Sequence, residues 1–282
     1  MFSGRHAAAL ASVVVAAAWG GSDASNSLLR AEERAGERAL ATVRALARER
    51  VAGSAGERAA ARLVAARLRA LGYRVSEQSF RLPRGGVSRN VVGRTGGPIR
   101  VVIVAHIDGV ARTVAANDNG SGVAVMLEVA AALAERPGVL VAGVGAEERH
   151  ETGSSLHLGS LRLSRTLPRG VRLAVALDMV GVGTRLHVRG IEARPNASAR
   201  ALLRAGRATY LRDPGHSDHA ELTRAGVPAA WVQWREDACW HRTCDVVSRV
   251  KPRKLEAAYA LVLRAAEAVL RRGERFARAN GD

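Results

Sequence analysis

Lysine is nearly missing from this chain. Of its 43 basic residues only Lys251 and Lys254 are lysines, aromatic residues make up 4%, and there are two cysteines. Few aromatics, no nucleic-acid motif and arginines spread over expected helix faces argue against specific nucleic-acid recognition. No internal repeat is visible. The longest apolar run near the amino terminus, residues 7–18, falls short of the ~20 residues an ordinary membrane span needs. The net charge of +17 and a pI near 11.5 imply non-specific attraction to anionic polymers, so a non-catalytic basic scaffold is the rival class to any enzyme. The arginine bias itself points more to a GC-rich genome than to guanidinium chemistry.

The apolar run does have another use. Arg5 and His6 precede it and Trp-Gly-Gly-Ser follows, the layout of a secretory signal over residues 1–24 with cleavage near Ala18 or Ala24. An uncleaved anchor or a plain alanine-rich stretch are the alternatives. The expectation is a secreted or extracytoplasmic protein, a monomer, with no stable membrane insertion after cleavage. Residues 25–54 read as an amino-terminal helical segment outside the catalytic core, and 55–278 as the catalytic domain.

Within that domain, residues 100–106 form a β-branched run too short for a helix, which reads as a strand buried on both faces with His106 at its end. Residues 139–145 repeat the pattern and deliver Glu147 and Glu148; residues 171–177 deliver Asp178. Helical spacing appears at 57–72, 122–134 and 254–276, and strand alternation at 75–80 and 88–92. The alternation predicts an α/β fold: a single-domain three-layer sandwich with a central, mostly parallel twisted sheet covered by helices on both faces. Ligands in such sheets gather outside the carboxyl ends of the strands, where His106, Glu148 and Asp178 would converge.

With Asp118 and His241, these residues make a set of two imidazoles and three carboxylates suited to two zinc ions, with Asp118 able to span both. Taken singly, each has an ordinary reading. Asp118 precedes Asn-Gly-Ser-Gly and could cap a helix. Glu147 and Glu148 could be solvated acids, and His106 a core histidine. Asp178 after Val-Ala-Leu would be costly to bury without a partner.

The strings AHID (105–108), NDNGSG (117–122), GAEE (145–148), LDMVG (177–181), SDHAEL (217–222) and HRTCD (241–245) resemble the successive motifs of the di-zinc aminopeptidases of metallopeptidase family twenty-eight, over roughly residues 55–270. The resemblance implies two Zn2+ per chain held by His106, Asp118, Glu148, Asp178 and His241, with Asp118 bridging. It implies Asp108 orienting His106, and Glu147 as general base. It also implies substrates with a free amino terminus, cleaved at the first peptide bond. Water shared by two zinc ions ionises near neutral pH instead of at ~15.7, and Glu147 can take its proton and return it to the departing amine. A glutaminyl cyclase-like acyltransferase with one zinc shares the fold and is the nearer alternative.

Cys239 and Cys244 bracket His241 with enough chain between them to reach the ~5.5–6 Å Cα separation of a disulfide. They are expected to be bonded, as in some secreted relatives, and export would preserve the bond. A cysteine ligand to zinc is the competing reading. Trp240 stands where relatives often carry a tyrosine; its indole can donate a hydrogen bond but cannot act as an acid, so it is kept as a possible substrate contact. His216 and His219 are taken as supports near the site or as part of a solvated loop. His150, His157 and His187 show no partner pattern and read as ordinary. Glu192–Asn196 and Trp231–Ala238 are expected to shape the substrate pocket, and Glu236 and Asp237 could hold an ammonium or be solvated.

Overall fold

Three short apolar runs set the centre of the molecule. In this computed structural model, which describes residues 35–279, β3 (Val101–His106), β4 (Val139–Val144) and β5 (Leu173–Leu177) are fully buried along their lengths. The signal reading over residues 1–24 and the start of the next segment lie outside the described residues. Around the three strands an eight-stranded sheet forms with β1 (Arg74–Arg81), β2 (Val87–Arg94), β6 (Arg185–Gly190), β7 (Thr209–Arg212) and β8 (Ala229–Arg235), in the order β1-β2-β4-β3-β5-β8-β6-β7. The central β4-β3-β5-β8 block is parallel. Antiparallel pairing brings in β1 and β2 at one side and joins β6 to β8 at the other. The sheet is therefore mixed; its central parallel block lies where both faces are covered, and β7 pairs parallel with β6 at one edge.

Alternate residues of the central strands serve opposite faces. Val101, Ile103, Val139, Val141, Leu173 and Val175 point into one core cluster, while Val102, Val104, Leu140, Ala142, Ala174 and Ala176 point into the other. The larger cluster is roofed by α2 (Ala55–Ala70), α3 (Gly122–Ala132), α6 (Ala197–Ala205) and α8 (Pro252–Ala279). The smaller one receives Leu163 of α5 (Leu158–Ser164) and Leu222 of α7 (His219–Arg224). A short helix, α4 (Arg149–Thr152), comes directly after the acidic pair.

The helix at residues 35–46, α1, packs into the same body: Ala35, Ala39, Leu40, Val43 and Leu46 belong to the larger cluster. Its apolar face leaves water by joining this core. Among the described residues no helix is long and apolar enough to cross a membrane.

Candidate metal centre and active site

The carboxyl ends of β3, β4 and β5 open on one side of the sheet, and the five expected ligands meet there. Asp118 lies in an irregular turn over Ala116–Ser121 between β3 and α3. Its Oδ1 stands 3.3 Å from His106 Nε2, which is 3.5 Å from Asp178 Oδ1. Its Oδ2 stands 3.3 Å from His241 Nε2, which is 3.1 Å from Glu148 Oε2. Each oxygen of Asp118 thus faces its own imidazole and its own second carboxylate.

The turn bearing Asp118 is tied to the end of β5 by side chains of its own motif. Asn119 Nδ2 donates to the Leu177 carbonyl at 2.8 Å and its Oδ1 accepts from Gly122 N; Asn117 Oδ1 accepts from Gly181 N, and Ser121 Oγ from Val180 N, each at 2.9 Å. A β-carbon at position 122 would collide with Asn119 Oδ1 and the Leu177 carbonyl, which is why glycine stands there. Asp245, whose role the sequence reading missed, accepts the Asn117 and Asp118 amides at 2.7 and 3.0 Å. It closes the motif that opens with His241, so one short segment supplies both an expected donor and the brace for Asp118.

Asp108 has a different set of contacts from the one expected. Its oxygens accept the backbone amides of Glu147 and Glu148 at 3.1 and 3.0 Å, whereas His106 Nδ1 lies 3.7 Å away, beyond hydrogen-bond reach. Its main contact therefore fixes the acidic pair after β4, and its effect on His106 is electrostatic. Ala146 takes φ +56° just before the pair; beyond it Glu147 reaches His157 and Glu148 reaches His241.

Glu147 reaches a neighbour the sequence did not single out. His157, read as ordinary, is 1% exposed; its Nε2 is 3.4 Å from Glu147 Oε1 and its Nδ1 is 3.2 Å from Glu221 Oε1, which also accepts from Arg224. His219 is likewise no loop residue in solvent: it is buried against Trp231 and 3.5 Å from Asp213. His216, half exposed, touches the same Asp213, and Ser217 donates to Asp178 Oδ2 at 2.8 Å.

Electrostatics mark the cluster as built for cations. Burial and the neighbouring Asp118 push Glu148 up to about 7, and burial together with Glu148, Asp218 and Asp178 pushes Glu147 well above the usual carboxylate range, against the pull of His106. Burial works against charge on His106, yet Glu147, Asp108, Asp118 and Asp178 outweigh it and hold the imidazole well above its usual value. His241 is likewise drawn up to about 10 by Asp118 and Glu148 in spite of burial. Such a pool of acids is costly to bury unless positive charge compensates it.

The donor set fits zinc. His106 Nε2 and Asp178 Oδ1, which face each other 3.5 Å apart, are both buried with no hydrogen-bond partner, as donors reserved for a metal would be. Two donors ~2.1 Å from one tetrahedral ion stand roughly 3.4 Å apart, the spacing seen between each imidazole and its carboxylates. Among the described residues, two groupings bring their donor atoms within 4.8 Å of one another: His106 with Asp118 and Glu148, and His106 with Glu147 and Asp178. The second includes the expected base among the donors, and the pairings around Asp118 argue instead that Glu147 stands beside the metal donors.

A cavity of about 370 Å³ lies over these groups, with Asp118, Glu147, Glu148, Asp178 and His241 on its floor. Met179, Trp231 and Gln233 form one wall; Trp231 and Gln233 belong to β8, so that part of the expected 231–238 loop is strand, and Glu192–Asn196 is not in the lining. Asp237 lines the cavity but is already engaged, accepting from Arg249, Asn117 and the Cys239 amide. Glu236 accepts from Thr184. Trp240 is 57% exposed at the rim and packs on the His241 ring with centroids 4.4 Å apart. Cys239 and Cys244 are joined, with Cα atoms 5.3 Å apart, in the loop carrying both residues.

The profile described as Peptidase family M28 matches residues 90–266, which contain every one of these donors. The chain belongs to peptidase family M28. Among sequence relatives, it is 31% identical over 186 residues to Aminopeptidase YwaD of Bacillus subtilis (strain 168), covering 58% of this chain and 40% of that protein. The chain therefore spans well under half the length of that relative. Among solved structures, BSAP, a zinc aminopeptidase from Bacillus subtilis, superposes with a TM-score of 0.76 at 19% identity, over 83% of this chain and 95% of that one. A glutaminyl cyclase from Bacteroides thetaiotaomicron superposes with a TM-score of 0.70 at 21% identity, over 82% and 96%. At such identities these likenesses establish the M28 fold, which hosts more than one chemistry.

Proposed function

We propose that this chain is a secreted zinc aminopeptidase that binds peptides by a free amino terminus and hydrolyses their first peptide bond. The observation that carries the reading is the division of Asp118, whose two oxygens face separate donor groups. His106, Asp118 and Asp178 would hold one zinc ion; Asp118, Glu148 and His241 would hold a second. When bound, the ions supply Lewis acidity toward the scissile carbonyl and make water acidic enough to serve as a nucleophile near neutral pH.

The remaining work falls to the chain. Glu147 accepts the proton of the attacking water on a carboxylate oxygen and returns it to the departing amine nitrogen. Asp108 holds Glu147 and Glu148 by their amides, and His157, itself gripped by Glu221, limits the swing of the Glu147 side chain. The cavity wall of Met179, Trp231 and Gln233 would receive the first side chain, and Trp240 at the rim would meet the chain beyond the scissile bond.

The test is zinc-dependent release of free amino acid from unblocked peptides, with N-acetylated peptides as control. Two zinc per chain and cleavage restricted to free amino termini support the proposal. One zinc per chain with cyclisation of amino-terminal glutamine would replace it by the cyclase reading.

A further inference from the structure

Arg50 lies well before the family-matched residues 90–266, yet it is 1% exposed and sits under the metal centre. Every hydrogen bond its guanidinium makes ends on a backbone carbonyl. Nε donates to Ile107 at 3.0 Å, Nη2 to Ala115 at 3.0 Å, and Nη1 to Val114 at 3.0 Å, to Leu46 at 2.7 Å and to Arg48 at 3.3 Å. In return the Gly109 amide donates to the Arg50 carbonyl at 3.1 Å. Ile107 lies between His106 and Asp108; Val114 and Ala115 lead into the turn of Asp118.

One side chain therefore pinches together the two ends of the loop that separates the first two expected ligands. The planar fork of arginine can address several carbonyls at once; an ammonium has three donors at a single point. Burial lowers the guanidinium to about 10 against the pull of Asp108, Asp245 and Asp118, so it remains charged at neutral pH among these acids. A fully buried cation with no hydrogen bond to a carboxylate is costly, and a packing role alone would be met by an apolar residue.

We propose that Arg50 is a positioning residue of the metal centre: by fixing both ends of the 107–115 loop it holds His106 and Asp118 at metal-binding separation, and so makes the segment ahead of the family-matched region part of the centre. The inference rests on the zinc-binding reading above.

The experiment compares full-length wild type with Arg50→Lys and Arg50→Met. Zinc affinity is read by competition with a chromogenic chelator, the ligand field by the visible spectrum of the cobalt-loaded protein, and folding by near-UV circular dichroism. Arg50→Met is expected to weaken zinc binding by roughly 10–100-fold, the usual range for groups that orient metal ligands, and to alter the cobalt spectrum, with Arg50→Lys between it and wild type. A folded Arg50→Met protein with wild-type zinc affinity and an unchanged spectrum would overturn the proposal. Should neither variant fold, amide exchange in the wild type decides. Coupling is reciprocal, so zinc must slow exchange at Gly109 and over residues 107–116, and no change there refutes the role. Wild-type protein that binds no zinc removes the zinc reading itself, and this inference with it; wild-type binding with indifferent variants removes only this inference.

Discussion

Replacing Glu147 by glutamine separates the base from the ligands. The substitution keeps shape and size at a buried position but removes the group that would carry the proton. Loss of general base and acid catalysis costs about 10²–10⁴-fold in rate, or about 3–5 kcal/mol of transition-state stabilisation. The effect on folding should have the opposite sign. Burial, with Glu148, Asp218 and Asp178 close by, disfavours a charge on Glu147, so a neutral amide relieves that penalty. Each kcal/mol gained would raise Tm by about 2–4 °C in a chain of this size. The assay is kcat/KM on an unblocked dipeptide together with zinc per chain and a thermal melt. The expected outcome is kcat down by at least about a hundredfold, KM and zinc content unchanged, and Tm of the zinc-free protein raised. Loss of one zinc ion in the variant would mean that Glu147 is a ligand, as in the alternative grouping with His106 and Asp178. Retained activity would refute its role as base.

Asp245→Asn replaces one acceptor of the Asn117 and Asp118 amides by a donor, and should weaken zinc binding by roughly 10–100-fold in a chelator competition while the protein stays folded. His219 is lowered to about 4 by burial, so the unfolded chain takes up a proton between about pH 6.5 and 4 that the folded one refuses. Stability is full above about pH 6.5 and falls by about 3 kcal/mol as the pH drops to about 4; His219→Gln should flatten that limb in denaturant titrations. Removing the cross-link with Cys239→Ser and Cys244→Ser opens a loop with a sequence separation of 5, worth about 2 kcal/mol, and a melt unchanged by reductant would contradict this.

Some of this protein was readable from its residues alone. Strands β3, β4 and β5 are apolar runs whose burial on both faces is a local property; β3 ends in His106, and Glu148 and Asp178 follow β4 and β5 within a few residues. The long face of α8 and the glycine after α2 follow from the same short-range rules. Strand β8 escaped notice because Ala-Ala-Trp-Val-Gln-Trp-Arg lies among residues that look like a pocket loop, and only its pairing with β5 and β6 makes it a strand. The place of α1 depended on its packing against α3 and α8, where Arg38 meets Glu128 and Gly36 lies against Pro252, which no local pattern reveals.

The same division runs through the site. Periodicity and strand ends named His106, Glu148 and Asp178, since terminal residues of parallel strands share one edge whatever the loops do. Tertiary structure alone decided that Asp108 bonds to the Glu147 and Glu148 amides, that His157 stands between Glu147 and Glu221, and that Asp245 and Arg50 brace the turn of Asp118 from both sides. Those contacts join positions from 10 to 127 residues apart. A hydrogen bond depends on distance and angle in space, and neither exists until the sheet has closed the chain around it.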